Sequence, residues 1–414
     1  MTLPLRLLHT SDWHLGRALY GRPRYAEFAA FLHWLRDTLR QQAVDLLLVA
    51  GDLFDNTTPS HRAQALYYRF LREVADSPCR HVVIIAGNHD SPSLLAAPRE
   101  LLQVLDIHVI AAPGEQLAEE LLLLRDPDGA VELMVCAVPY LRDRDLRLSE
   151  AGEGLAQKGE KLVAGIREHY RALLALAEEQ RREHGEDVPI VAMGHLFASG
   201  GQTLEGDGVR DLYVGSLAHL PSQLFPPVID YLALGHLHVP QMIGGEERRR
   251  YSGSPLAMGF GEAGQRKSLV QVDFTREGVK IELLPVPVFQ RLERISGDLP
   301  TLLGKLKALA ACGESIWVEV LYNGTAWVDD LRQQLEGQIA ASSLEILRIK
   351  NQQLREQTLT QQAALPEALA EMDVEQVFAH CLLAHQVPEA QHAELYASYR
   401  ELLQELAQQD RQAG

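Results

Sequence analysis

Short apolar runs alternate with longer amphipathic stretches over the first two thirds of the chain. The runs predict strands at Leu5 to Leu8, Asp45 to Ala50, His81 to Ala86, Glu132 to Val138, Ile190 to Met193 and Tyr231 to Leu234. Strands of this length separated by helical patterns belong to an α/β or mixed-sheet domain, not a bundle. Thr58-Pro59 and Ser91-Pro92 each set a capping hydroxyl before a proline, which predicts helices over 59–75 and 92–104. A polar-faced helix is expected over 159–184 and a glycine-rich loop over 200–208. The strands at Ser268 to Phe274 and Val279 to Leu284 read as a meander in a second sheet packed on the first.

Pro285-Val-Pro287 breaks this pattern, and helix, strand, helix, strand follow at Leu299 to Ala311, Ser315 to Tyr322, Val328 to Gln338 and Leu344 to Lys350. The expected organisation is a main domain over 1–284, a small α+β capping domain over 285–362 and a helical hairpin over 363–414, broken near Val387-Pro388. Leucines at 383, 395, 402, 403 and 406 would give the hairpin an apolar stripe. An amphipathic pair without a large core of its own suits docking on another helix. Folding back on the capping domain is the alternative.

The composition, 46% hydrophobic and 23% charged over 414 residues, is that of a globular protein of several domains and excludes disorder or a disulfide scaffold. With 56 acidic against 39 basic residues the net charge is −17, so bulk attraction will not hold nucleic acid or an anionic membrane. Any polyanion needs a local positive site, and the candidates are Arg22, Arg24, Arg142, Arg144, Arg147, Arg248, Arg249 and Arg250. Cys79, Cys136, Cys312 and Cys381 lack paired spacing, which suits a reducing compartment and speaks against a thiolate zinc site. No run is apolar enough for a membrane span and none after Met1 resembles a signal peptide, so a cytoplasmic, membrane-free protein is expected. The chain has no Gly-x-x-x-x-Gly-Lys-Ser/Thr loop, so ATP binding of that kind would lie on another polypeptide.

The chemistry sits in Ser11-Asp12-Trp13-His14, Gly51-Asp52-Leu53-Phe54-Asp55, Gly87-Asn88-His89-Asp90, Gly194-His195 and Gly235-His236-Leu237-His238, each after a predicted strand. Taken singly, such a histidine or Gly-Asn-His reads as a structural side chain or a turn. In series they supply two carboxylates, Asp12 and Asp52, the Asn88 amide oxygen, and the imidazoles of His14, His195, His236 and His238. That is too many donors for one tetrahedral ion and enough for two that share a carboxylate. Oxygen and imidazole without sulfur suit Mn²⁺, Fe²⁺ or Zn²⁺ better than Ca²⁺. Two such ions ~3.5 to 4 Å apart activate a water between them and neutralise a phosphoryl oxygen. Asp12 and His14, like His236 and His238, are two apart, so in extended backbone each pair faces one side. Trp13 and Phe54 read as core under the metals, with base stacking as the alternative.

This series resembles the calcineurin-like metallophosphoesterase signature. In fuller wording, His9-Thr-Ser-Asp-Trp-His-Leu-Gly16, Val49-Ala-Gly-Asp-Leu-Phe-Asp55, Ala86-Gly-Asn-His-Asp-Ser91, His195-Leu-Phe-Ala-Ser-Gly-Gly-Gln202, Asp211-Leu-Tyr-Val-Gly-Ser216 and Ala233-Leu-Gly-His-Leu-His238 are similar to the SbcD family, nuclease subunits of bacterial SbcCD complexes and counterparts of the archaeal and eukaryotic double-strand-break repair nuclease. The likeness covers residues 5–275 in wording and the remainder in layout. It implies a four-layer α/β/β/α sandwich holding one metal on Asp12, His14 and His238, another on Asn88, His195 and His236, with Asp52 bridging and Mn²⁺ preferred. It gives His89 the role of protonating the leaving group, with Asp90 either orienting His89 or capping the next turn. Asp55 departs from the histidine of archaeal members and reads as the start of a turn. The activities implied are a 3′ to 5′ exonuclease on double-stranded DNA ends and an endonuclease on single strands and hairpin DNA, stimulated by ATP through an SbcC coiled-coil ATPase. Helices 59–75 and 92–104, with Tyr67, Tyr68, Phe70, Leu94 and Leu95, would form a homodimer within a heterotetramer. The rivals are a small-molecule, nucleotide or phosphoprotein metallophosphoesterase and a metal-free scaffold on the same fold.

Overall fold

The computed structural model describes residues 5–146, 155–198, 225–324, 328 and 330–351, together with Phe378, Leu382, His392, Tyr396 and Tyr399. In chain order the first elements are β1 (Leu5–Thr10), β2 (Ala18–Leu19), β3 (Arg22–Pro23), α1 (Tyr25–Gln41), β4 (Leu46–Ala50), α2 (His61–Ala75), β5 (His81–Ile85), α3 (Pro92–Ala96), α4 (Arg99–Gln103) and β6 (Ile107–Ile110). Then come β7 (Leu121–Arg125), β8 (Val131–Ala137), α5 (Asp143–Leu146), α6 (Leu155–His184), β9 (Ile190–His195), β10 (Tyr231–Gly235), β11 (Gln241–Ile243), β12 (Glu246–Tyr251), β13 (Ser268–Thr275) and β14 (Gly278–Pro285). The last are β15 (Arg291–Gly297), α7 (Leu299–Ala310), β16 (Ile316–Tyr322), α8 (Leu331–Ile339) and β17 (Leu344–Asn351).

One six-stranded sheet has the order β14-β13-β1-β4-β5-β6 and the other β11-β12-β10-β9-β8-β7. Strands β1, β4, β5 and β6 are parallel, and so are β8, β9, β10 and β12, so their carboxyl ends gather at common edges. β4 and β5 are buried at every position, because both of their faces are covered, which is why they read as unbroken apolar runs. Leu7, Leu48, Val83 and Ile85 share a core with Val135, Val191, Met193 and Ala233 of the facing sheet. The outer face of the first sheet packs on Phe28 and Phe31 of α1 and Tyr67 and Phe70 of α2, and that of the second on Tyr170, Leu173 and Leu174 of α6. The layers therefore run helices, sheet, sheet, helix.

Several expectations change. β13 and β14 pair on β1 and extend the first sheet; the second sheet is built from β7 to β12 instead. Helix α1 carries Phe28, Phe31, Leu32, Leu35 and Leu39 on one buried face, but Arg24 at its start makes no side-chain cap, so it lacks a start signal. Helix α2 begins after Ser60, whose Oγ accepts from Ala63 N at 3.2 Å, and Thr58 is not its cap. The helix expected over 92–104 is split into α3 and α4, with Pro98 at the break. Tyr67, Phe70 and Leu95 are buried within their own chain, so of the residues expected at a homodimer contact only Tyr68 and Leu94 remain partly accessible. Trp13 and Phe54 are core residues, Trp13 lying edge-on to Phe31 and Phe70 and Phe54 edge-on to Tyr67.

The small sheet has the order β15-β16-β17, with β15 parallel to β16, and opens on a strand where a helix was expected. Its own core joins Val318 and Val320 to Leu302 and Leu306 of α7 and to Leu335 and Ile339 of α8. Leu19, Phe260, Leu292 and Trp317 form a separate cluster. Beside it Tyr20 stacks on Phe260, Arg348 donates to the Tyr20 hydroxyl at 2.6 Å, and Arg22 pairs with Glu345 at 2.8 Å. One compact unit comprises Met1–Tyr322 with Trp327–Lys350, and a second comprises Asn323–Ala326 with Asn351–Gly414. In the second, the Phe378 ring stacks on Tyr399 at 4.0 Å and meets Tyr396 edge-on at 5.3 Å. The glycine-rich loop over 200–208, the 211–216 motif, residue 147 and the leucine stripe lie outside the described residues. Among the described residues no helix is long and apolar enough to cross a membrane.

Between the two main sheets His9 Nδ1 meets the Tyr231 hydroxyl at 2.9 Å, and burial pushes the His9 imidazole from 6.5 down to about 3. Below pH ~6.5 the unfolded chain takes up a proton that the folded protein refuses, so this group weakens the fold by ~1.4 kcal/mol per unit of acidification until pH ~3. His9→Leu should therefore gain stability relative to the parent as pH falls through that window, read from urea unfolding. A stability difference independent of pH would contradict the neutral, buried assignment.

Candidate metal centre

The loops after β1, β4, β5, β9 and β10 meet at one edge of the sandwich. Asp12 N donates to Gly51 O at 3.0 Å, His14 N to Asp52 O at 3.0 Å and Leu15 N to Leu53 O at 2.8 Å, which sets the first two loops in register. Asp12 (φ 54°), His14 (φ 47°), Asp52 (φ 53°) and His236 (φ 107°) all have positive φ. The expectation of paired side chains on extended backbone is thereby corrected: left-handed turns deliver them, at ~1 to 3 kcal/mol each for non-glycine residues. Two glycines make room. A Cβ on Gly51, at φ 87°, would strike the His195 ring, and one on Gly235 would strike the Ala50 carbonyl.

All seven predicted donors converge. Asn88 Oδ1 lies 3.0 Å from His195 Nε2 and 3.1 Å from His236 Nδ1. Asp52 Oδ2 lies 3.3 Å from His195 Nε2 and 3.7 Å from His14 Nε2, between the two expected groups. His14 Nε2 and His238 Nε2 face each other at 3.1 Å, and with Asp12 they offer three donor atoms within 4.8 Å of one another. Asp12 also accepts from His236 N at 3.0 Å and from Ser11 Oγ at 2.5 Å.

The donor chemistry fits cations. His195 Nδ1 donates to the Ala50 carbonyl at 2.9 Å, so in the neutral ring Nε2 presents a lone pair to the oxygens of Asn88 and Asp52. Lone pairs facing lone pairs in a buried cluster require positive charge between them. Burial would raise Asp52, but the imidazoles of His195 and His14 hold its carboxyl well below the usual range. Burial would lower His195, but the Asp52 charge carries it up to about 9, while burial and His195 push His236 down to about 3. A pair of divalent ions on these residues meets the same demand as the protons do.

Behind the donors stands a second ring that the motifs do not reveal. Glu262 Oε1 lies 3.5 Å from His238 Nδ1, and Lys267 pairs with Glu262 while donating to the His238 carbonyl at 2.9 Å. Asp55 Oδ1 lies 3.4 Å from His14 Nδ1 and 3.1 Å from Arg17 Nη1. Carboxylates in this position orient a ligating imidazole and raise its basicity. No spacing ties Glu262 to the earlier segments, so sequence offers no signal for it. Asp55, read as the start of a turn, has this further role.

His89 is nearly buried, its ring edge-on to His14 at 4.9 Å, its N donating to Asp52 Oδ1 at 2.9 Å and its Nδ1 to the Asp55 carbonyl at 2.8 Å. Asp90 does not orient it. Its carboxylate accepts instead from Gly87 N (2.8 Å), Phe54 N (3.0 Å) and Leu53 N (3.1 Å), tying the second and third loops together. Two candidate phosphate contacts are also corrected. Arg24 is buried against Glu27 and the Ala257 carbonyl, and Arg250 is buried within the second sheet. Arg22, Arg144 and Arg248 are exposed, Arg142 and Arg249 half-buried, with Arg249 paired to Glu246 at 2.8 Å.

Residues 5–240 match the calcineurin-like phosphoesterase family, and residues 288–386 match a family described as the type 5 capsule protein repressor C-terminal domain. The chain is 36% identical to the SbcD subunit of the SbcCD nuclease of Escherichia coli (strain K12), over 97% of its own length and 99% of the relative's. It is 36% identical to the SbcD protein of Rhodobacter capsulatus, over 74% of this chain and 76% of the relative. The Bacillus subtilis counterpart is 33% identical over 83% of each.

Asp90→Ala strands three buried N–H groups, so stability should fall by roughly 3 kcal/mol or more in denaturant unfolding. Unchanged stability with a lowered turnover would restore the orienting role.

Proposed function

The chain belongs to the calcineurin-like phosphoesterases and, within them, to the SbcD proteins, and from that premise we propose that it is the nuclease subunit of an SbcCD-type complex, hydrolysing DNA phosphodiesters with two divalent ions, Mn²⁺ by preference. The observation that carries this reading is the convergence of Asp12, His14, Asp52, Asn88, His195, His236 and His238 from five separate loops. Bound there, two divalent ions would neutralise phosphoryl oxygens and make water nucleophilic.

The chain's own residues do the rest. Asp52 stands between the two groups of donors, and Glu262 and Asp55 hold His238 and His14 in place. With Nδ1 fixed on the Asp55 carbonyl, His89 in its protonated form offers the Nε2 proton to the departing sugar oxygen, an unactivated alcohol that needs one. The net charge of −17 means that DNA affinity rests on local cations, for which Arg22, Arg142, Arg144, Arg248 and Arg249 are the remaining candidates.

The proposed activities are 3′ to 5′ digestion of duplex ends and endonucleolytic cleavage of single strands and hairpins in the cytoplasm. ATP stimulation would come through an SbcC-type coiled-coil ATPase docked on residues 363–414, which follow the capping domain of residues 285–362 in the sequence, in a heterotetramer built on a homodimer of this chain. Incubation with Mn²⁺ and duplex DNA, hairpin DNA, a cyclic nucleotide and a phosphopeptide tests the substrate, with the ATPase and ATP added to test coupling. DNA cleavage enhanced by the ATPase with ATP is expected; turnover confined to the cyclic nucleotide or phosphopeptide would favour the small-molecule alternative. His89→Gln should keep its metal content and lose ~10²- to 10⁴-fold in turnover. An unaltered rate would remove the proton-donor role.

A further inference from the structure

A second cluster of ligating side chains lies at the opposite ends of the same strands. His81 opens β5, and Asp106 and His108 flank the start of β6. Gly87 lies six positions beyond His81, about 20 Å of strand at ~3.3 Å per residue, so this cluster is separate from the centre described above. One donor atom of each of the three side chains lies within 4.8 Å of the others.

The state of His81 points to a cation. Its side chain is 9% exposed, and its Nε2 lies 3.0 Å from the Arg125 carbonyl and 3.4 Å from Glu132 Oε1. A carbonyl can only accept, so Nε2 carries the hydrogen and Nδ1 keeps its lone pair. That Nδ1 is buried without a hydrogen-bond partner. A ring nitrogen fixed by a carbonyl and a carboxylate behind it, with the other nitrogen left bare, is the outer-shell arrangement of a metal-ligating histidine.

The surroundings permit it. Asp106 is held in place by its own backbone, at φ 54° and with its carbonyl accepting from Val82 N at 3.1 Å. The positive charge of Arg80 nearby is engaged by Asp45 and Glu132, and the Arg125 guanidinium donates to the Gly129 carbonyl. The three side chains line a cleft of about 470 Å³, room enough for water to complete a coordination shell.

We propose that His81, Asp106 and His108 form a mononuclear site for a divalent cation that prefers imidazole, Zn²⁺ foremost. Two imidazoles and one carboxylate leave an open position, as zinc accepts. The ion ties the edge strand β6 to β5 and, through the carbonyl behind His81, to β7 of the facing sheet.

The test uses the full chain saturated with Zn²⁺ alone, desalted, and measured for bound zinc by mass spectrometry. His108→Ala and the milder Asp106→Asn, whose side chain tolerates the left-handed backbone, should each bind one equivalent less than the parent, or bind it at least tenfold more weakly. Zinc content unchanged in both folded variants would overturn the proposal. So would a Zn²⁺ soak in which anomalous scattering at the zinc edge shows no peak beside His81 Nδ1.

Discussion

Mutual repulsion among buried lone pairs is the constraint on which this structure turns. His195 Nε2 faces two oxygens at 3.0 and 3.3 Å, and two imidazole nitrogens of His14 and His238 stand 3.1 Å apart, with both rings almost wholly buried. With Nδ1 of His195 committed to the Ala50 carbonyl, and Nδ1 of His14 and His238 turned toward Asp55 and Glu262, the neutral rings offer only lone pairs to one another and to those oxygens. Such a cluster persists only if the fold holds it open for positive charge, and half of the eight non-glycine residues with positive φ among the described residues serve that end. Four of the seven donors have positive φ, and the two glycines beside them leave space that a methyl group would fill.

The sandwich supplies the rigidity this demands. Parallel strands β4 and β5 on one side and β9 and β10 on the other end at the same edge, and their residues are buried throughout. Strain in the loops is thus borne by a core that spans both sheets. Asp90 and the backbone bonds between the first two loops convert separate turns into one fixed surface. The remaining polar side chains, Glu262, Lys267, Asp55 and Ser11, orient donors rather than adding to them.

Much of this is legible from residue order, for a physical reason. Metal donors at strand ends are local in sequence, so Asp12 with His14 and His236 with His238 announce themselves by spacing even though the backbone that presents them is not extended. Interactions between distant segments leave no such trace. Glu262 reaches His238 from a short helical turn far along the chain, and Asp90 is adjacent to His89 yet bonds to the loop of Asp52. Arg24 reads as a surface cation because its partners, Glu27 and the Ala257 carbonyl, are set by packing. Helix α1 gives no start signal because it has no capping side chain, and the sheet of β13 is hidden because its pairing with β1 spans most of the domain.

The most direct measurement is anomalous scattering from crystals of the protein saturated with Mn²⁺, recorded at the manganese edge. Two peaks ~3.5 to 4 Å apart, one on each side of Asp52, are the outcome this account requires. A single peak there, or none, would show that the cluster is not a two-metal centre and would remove the chemistry built on it.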